Sequence, residues 1–163
     1  MTHDEWGTPQ ALYDRLDEEF CFSLDAAATE QTTKCDNWLG PGSPWGVTDA
    51  LVGDWAARTT WCNPPYSGQN IQKFLRQASL MAVDRPGRTV VMLIPTYTDP
   101  RYWSEIIVPY ADEVRNLVGR LSFHDYLTGK KMNARYPSSV VVFRGRAGRQ
   151  IKTAHQWSWD WRG

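Results

Sequence analysis

The run Asn63-Pro64-Pro65-Tyr66, entered from Thr59-Thr60-Trp61-Cys62, puts an amide, two prolines and an aromatic ring directly after a β-prone stretch. Pro64 and Pro65 carry no N–H and have nearly fixed φ. Each residue before a proline is pushed to extended geometry, so the segment is stiff and its carbonyls lack local partners. The Asn63 side-chain oxygen and the Pro64 carbonyl can then accept both hydrogens of one exocyclic amino group, while Tyr66 stacks on the ring that carries it. An aromatic amine needs such help, because its lone pair is delocalised into the ring. Two acceptors leave more electron density on nitrogen and favour a tetrahedral geometry. Transfer of an electrophilic methyl group then needs no side-chain nucleophile and rests on positioning and fixed dipoles. The competing reading is a rigid Pro-Pro turn with Tyr66 as packing. The asparagine in front and the apolar strand leading in favour the chemical one.

Positioning this run is a matter of strands and helices. Thr8-Pro9 reads as a helix N-cap and first helical residue. Leu12, Leu16 and Phe20 then give an apolar stripe that predicts a helix over 9–20. Phe22 to Asp25 alternates as a short strand with Asp25 at its end. Residues 29–46 are loop-rich, broken by Gly40-Pro41-Gly42-Ser43-Pro44, and 48–57 reads as a short helix around Leu51 and Trp55. Thr59–Cys62 is a strand and 69–83 a helix. Thr89–Ile94, almost continuously apolar, suits a central parallel strand buried on both faces. Residues 100–110 read as helical. Val114–Leu117 and Leu121–Phe123 read as two strands or one bent strand, and Ser138–Phe143 as a strand antiparallel to it. The stretch 125–137 is polar and turn-rich, and the tail 145–163 has no clear periodicity. Strand–helix–strand alternation predicts a single α/β domain over 1–163 with helices on the faces of its sheet. Ligands of such sheets bind at the carboxyl ends of strands, where Asp25 and Asn63 both fall.

A chain of 163 residues is one domain of ordinary size. It has no apolar stretch of spanning length and an acidic, polar N-terminus, so the expectation is a soluble, cytoplasmic protein without membrane association. Cys21, Cys35 and Cys62 are spread singly, with no His at ligand spacing, so no metal site is expected. Net charge is zero, but its distribution is not even. Residues 1–63 carry 3 Lys/Arg against 11 Asp/Glu, and residues 64–163 carry 15 against 7. A polyanion could be held by the second half through phosphate contacts. Of the nine tryptophans, Trp45, Trp157, Trp159 and Trp161 lie in polar or Pro/Gly-rich company where base stacking is open to them.

An ordered series of segments resembles one family. It comprises Trp6-Gly7-Thr8-Pro9-Gln10, Phe22-Ser23-Leu24-Asp25-Ala26-Ala27-Ala28, Lys34-Cys35, Asp54-Trp55 and Trp61-Cys62-Asn63-Pro64-Pro65-Tyr66-Ser67. It continues through Leu93-Ile94-Pro95, Gly119-Arg120-Leu121-Ser122-Phe123 and Ser139-Val140-Val141-Val142-Phe143. The set resembles the S-adenosylmethionine-dependent amino-methyltransferases, in which Asn/Asp-Pro-Pro-Tyr is the catalytic motif. More narrowly it resembles the small phage and prophage DNA N6-adenine methyltransferases of the Dam type. The resemblance implies a reduced Rossmann-like methyltransferase fold, mostly parallel with an antiparallel C-terminal hairpin. It also implies S-adenosylmethionine as cofactor, S-adenosylhomocysteine as product and DNA as partner, in a host cytoplasm if phage-encoded.

By the same resemblance the catalytic residues are Asn63, Pro64, Pro65 and Tyr66. The cofactor residues are Thr8, Pro9, Asp25, Ala26, Ala27, Asp54 and Asn63. Asp25 is the first candidate for the cofactor's amino or ribose end. A helix cap is the bland alternative for both Thr8 and Asp25, and an exposed carboxylate for Asp54. Adenine N6 is paired inside duplex DNA, so the base must rotate out or the substrate be single-stranded. Tyr66 would stack that base, Phe123 would form the other wall of its slot, and Ser67-Gly68 allows close backbone approach. Arg120, Lys130, Lys131 and Arg135, then Arg144, Arg146, Arg149 and Lys152, are candidate phosphate contacts. Two departures stand out. Ala26-Ala27-Ala28 replaces the glycine-rich first motif, and Tyr97-Thr98-Asp99-Pro100 replaces the usual Arg-Thr-Asp-Thr. A methyltransferase of an RNA base or a protein amide, and a non-catalytic nucleic-acid-binding module, remain open.

Overall fold

In a computed structural model, which describes residues 6–148 and 153–163, the apolar run after Arg88 forms β4 (Thr89–Pro95) at the centre of the main sheet. Its neighbours are β3 (Thr59–Cys62), parallel to it, and β8 (Ser138–Arg144), antiparallel over the full register from Thr89↔Arg144 to Pro95↔Ser138. The sheet continues outward to β2 (Leu24–Asp25) on one side and to β5 (Glu113–Leu117) and β9 (His155–Trp159) on the other. Its order is β2-β3-β4-β8-β5-β9. The pairs β2–β3, β3–β4 and β5–β9 are parallel, and β8 runs against both β4 and β5.

Alternation along β4 explains why that strand reads as uniformly apolar. Val90, Met92 and Ile94 face one core cluster, with Ile71, Phe74, Leu75 and Ala78 of α2 (Asn70–Ala82). Val91 and Leu93 face the other, with Leu12, Tyr13 and Leu16 of α1 (Gln10–Phe20). Helices thus cover both faces, as a mostly parallel sheet requires. A π-helical turn, Trp103–Ile107, leads into α3 (Val108–Tyr110) on the α2 side. Between β5 and β8 the chain leaves the main sheet and forms the hairpin of β6 (Ser122–Asp125) and β7 (Lys131–Asn133). With β1 (Trp6–Gly7) these make a second, antiparallel sheet, β1-β6-β7.

Four expectations are corrected. The segment 48–57 is not helical; the indole of Trp55 is drawn inward to donate to the Ala50 carbonyl at 2.9 Å, and Gly53 packs against Val47. Thr8 does not cap α1. Pro9 takes the cap position, and its carbonyl accepts from the N–H groups of Leu12 and Tyr13 at 3.1 and 3.2 Å. The polar stretch 125–137 contains β7. The tail contains β9, held at the sheet edge beside Arg115, whose guanidinium lies 5.5 Å and 5.2 Å from the ring centroids of Trp157 and Trp159.

Candidate active site

The run Asn63–Tyr66 leaves β3 at its carboxyl end and reaches β4 through Tyr66. Pro64 is buried, while Asn63, Pro65 and Tyr66 are half-buried. The hydroxyl of Tyr66 donates to Asn63 Oδ1 at 2.8 Å and lies 3.3 Å from the Leu93 carbonyl. This bond fixes the orientation of the Asn63 amide. Its oxygen has a second lone pair to offer, and among the described residues nothing donates to the Pro64 carbonyl. Burial raises the Tyr66 hydroxyl well above the usual phenol range, so it remains a neutral donor.

The run opens on a cavity of about 640 Å³, within the range of small-molecule sites. Asn63, Pro64, Tyr66 and Ser67 line one side, and Phe123 closes it. The rings of Tyr66 and Phe123 meet edge to face, centroids 6.4 Å apart and planes at 84°. Phe123 is therefore an end wall rather than a face parallel to Tyr66. Further lining comes from residues to which the sequence assigned no such role: Trp6 of β1, Pro95 at the end of β4 and Tyr97 after it, Met132 and Asn133 of β7, and Tyr136. Trp6 lies inside one of the family-like segments and Tyr97 inside the departing one. Nothing in the sequence marks Met132 or Asn133, because both are exposed and polar-flanked.

At the neighbouring strand end, Asp25 is 3% exposed. Its carboxylate accepts from the N–H of Ala27 at 3.2 Å and of Lys34 at 3.0 Å. Burial pushes its pKa up to about 6, against the lowering effect of those two bonds. The register Asp25↔Trp61 sets it beside the strand that ends in Asn63. Ala26, Ala27 and Ala28 follow directly. Segment 37–40 is laid against them through Asp25 N–H to Asn37 O (2.9 Å), Leu39 N–H to Asp25 O (2.9 Å) and Ala28 N–H to Leu39 O (3.1 Å). Gly40 has φ +139°, and a Cβ there would stand 2.0 Å from the Ala28 carbonyl oxygen. The segment that packs on the alanine turn thus requires glycine at position 40.

These features coincide with clear relatives. Residues 1–155 match the family model described as DNA N-6-adenine-methyltransferase (Dam). The chain is 30% identical over 148 residues to the DNA N-6-adenine-methyltransferase of Haemophilus phage HP1 (strain HP1c1), covering 88% of this chain and 80% of that protein. The chain belongs to the Dam family. In fold it is similar to a class I S-adenosylmethionine-dependent methyltransferase structure from Listeria monocytogenes, with a TM-score of 0.57 at 10% identity over 97% of this chain and 67% of that one.

The remaining residues of this Dam-family chain divide by sheet end. Thr8 is buried and Pro9 half-buried between β1 and α1, the β1 end being beside Trp6. Asp54 precedes β3, so it lies at the end of that strand away from Asn63, in ion pairs with Arg85 (3.1 Å) and Arg88 (3.3 Å). Arg144 is also at that far end, opposite Thr89, and pairs with Glu113, while Arg146 lies 3.7 Å from Asp112. Arg120, Lys130 and Lys131 are exposed around the β6–β7 hairpin, and only Arg135 among the described basic residues lines the cavity. Arg149 and Lys152 lie outside the described residues. Trp157 and Trp159 pack on Arg115 at the β9 edge, three strand spacings from β4, and Trp45 is in loop 41–46. No helix among the described residues is long and apolar enough to cross a membrane.

Proposed function

We propose that this Dam-family chain transfers a methyl group from S-adenosylmethionine to N6 of adenine in DNA, directly, to a base turned out of its helix. The observation that carries the reading is the proline-stiffened ledge of Asn63 and Pro64 opening, beside Tyr66, on a cavity of about 640 Å³. The Asn63 oxygen and the Pro64 carbonyl accept the two amino hydrogens, and the Tyr66 ring stacks the base. Stacking of about 1–3 kcal/mol offsets much of the few kcal/mol of unstacking.

The cofactor residues fit the group in the chemistry of their donors. A buried carboxylate stands at the carboxyl end of β2, one strand from Asn63, with only alanine side chains beyond it. Asp25 would face the cofactor's ammonium or ribose, and Ala26 and Ala27 would allow close approach. Thr8, Pro9 and the Asn63 backbone would complete the site. Asp54, at the other sheet end, has no part in this assignment. When bound, the cofactor supplies an electrophilic methyl group. The protein's own share is placement, exclusion of water and two fixed acceptors.

Expression in a methylation-deficient host, followed by sequencing for modified adenines, tests the reading. N6-methyladenine is expected at a reproducible set of sites. Asn63→Ala is expected to lower turnover on the order of 100- to 1000-fold, as for loss of one preorganised polar contact, with cofactor binding by calorimetry retained. Unmodified host DNA, or a fully active Asn63→Ala variant, refutes it.

A further inference from the structure

The aromatic pair Tyr97 and Tyr136 lies outside the catalytic reading, although both residues line the same cavity. Their ring centroids are 5.0 Å apart at 66°, and the Arg135 guanidinium stands 5.5 Å from the Tyr136 centroid. Tyr136 is 42% exposed, so much of its surface is open to solvent. The pair is not a loose surface feature. It rises from the Pro95↔Ser138 end of β4 and β8. The Thr96 N–H donates to the Pro137 carbonyl at 2.8 Å, and the Thr96 hydroxyl meets that of Ser139 at 2.6 Å. Ser139 in turn donates to Asn116 Oδ1 at 2.8 Å. The two segments bearing the rings are therefore clamped to each other and to the sheet.

Chemistry divides the cavity into two parts. Buried or half-buried Pro64, Tyr66 and Phe123 with Asn63 form the inner part, and Tyr97, Arg135 and exposed Tyr136 the outer. An exposed ring suits the π-face of any base. A guanidinium with no ion pair among the described residues offers a fork that matches phosphate oxygens. An aromatic pair and a guanidinium side by side on one cavity wall can serve the base and the phosphate of a single nucleotide unit.

We propose that Tyr97, Arg135 and Tyr136 form a second nucleotide subsite, in which the base neighbouring the target stacks on the tyrosine pair and its phosphate lies on Arg135. The proposal rests on the DNA reading above. The subsite holds the strand in register while the target enters the inner part, and it is tolerant of base identity.

The test uses the full chain and a DNA duplex carrying the sequence methylated in the host, with 2-aminopurine beside the target adenine. Tyr136→Ala is expected to weaken duplex binding roughly 5- to 150-fold and to restore the 2-aminopurine fluorescence that stacking quenches in the wild type. Cofactor affinity stays within about threefold of wild type, and KM for DNA rises in step with the lost binding. Tyr136→Phe and Tyr136→Trp retain binding and quenching. Arg135→Gln lowers the slope of log affinity on log salt by about 0.9. A wild type that methylates no DNA overturns both readings. A methylating wild type whose Tyr136→Ala variant binds and quenches as before overturns the subsite alone. So does a Tyr136→Ala variant that loses only turnover, or a Tyr136→Phe variant as weak as Tyr136→Ala.

Discussion

Replacing Tyr66 with phenylalanine removes one oxygen and keeps the ring, which separates the two tasks assigned to this side chain. The hydroxyl donates to Asn63 Oδ1 at 2.8 Å and lies 3.3 Å from the Leu93 carbonyl. It has a single proton, so the shorter contact dominates. A net hydrogen bond of this kind is worth about 0.5–1.5 kcal/mol. If that energy holds the Asn63 amide in its reactive orientation, its loss lowers kcat about 2- to 12-fold. The ring still stacks the base, so KM for DNA stays where it was. Tyr66→Ala removes the stacking surface as well, about 1–3 kcal/mol, and its further loss falls on DNA affinity. Single-turnover methylation with labelled cofactor, at several DNA concentrations, resolves the two parameters. An unchanged kcat in Tyr66→Phe refutes the orienting role. A raised kcat also refutes it, and would mean that the hydroxyl competes with the substrate amine for the Asn63 oxygen.

Burial raises Asp25 to about 6, while burial also raises Cys35, to about 12, and raises Tyr13 and Cys62, so these neighbours are neutral between pH 5 and 7. If Asp25 faces the cofactor's ammonium or ribose as proposed, binding prefers the ionised carboxylate, so affinity is expected to be full near pH 7 and about tenfold weaker at pH 5 by calorimetry; Asp25→Asn is expected to flatten this profile. The apoprotein moves the other way. Its raised Asp25 binds a proton that the unfolded chain releases near 3.8, so this stability contribution is present at low pH and lost as pH rises through about 6, visible in urea midpoints. Gly40→Ala meets both a positive φ and the Ala28 carbonyl, so it is expected to destabilise by more than about 1 kcal/mol, seen as a Tm drop of at least about 2 °C, and to weaken cofactor binding. Wild-type Tm with full cofactor affinity would show that segment 37–40 yields freely.

Local rules carried the sequence a long way where one element packs on the core by its own period. The α1 stripe, the α2 stripe and the apolar β4 run fall within a residue or two of their observed bounds. The parallel neighbours β2 and β3 bring Asp25 and Asn63 to adjacent strand ends as the α/β pattern implied. What stayed illegible depends on partners distant in sequence. β9 is exposed along most of its length, and it is a strand because β5 offers it an edge and Arg115 a stacking surface. The charge asymmetry is the sharper case. Its second half reads as a basic face, yet Arg85, Arg88, Arg144 and Arg146 gather at the Thr89 end of the sheet, against Asp54, Asp112 and Glu113. Since β4 is seven residues long, that end is about 20 Å from its carboxyl terminus, beyond the roughly 8–10 Å over which charges act in physiological salt. These cations neutralise the protein's own carboxylates. A polyanion bound at the cavity as proposed would meet Arg135 there, with the exposed lysines of the β6–β7 hairpin nearby in the chain. With so few described cations there, the proposed binding is expected to draw much of its free energy from Tyr66, Tyr97 and Tyr136 and to show a correspondingly shallow salt dependence, read from affinities at several salt concentrations; a steep slope would refute this.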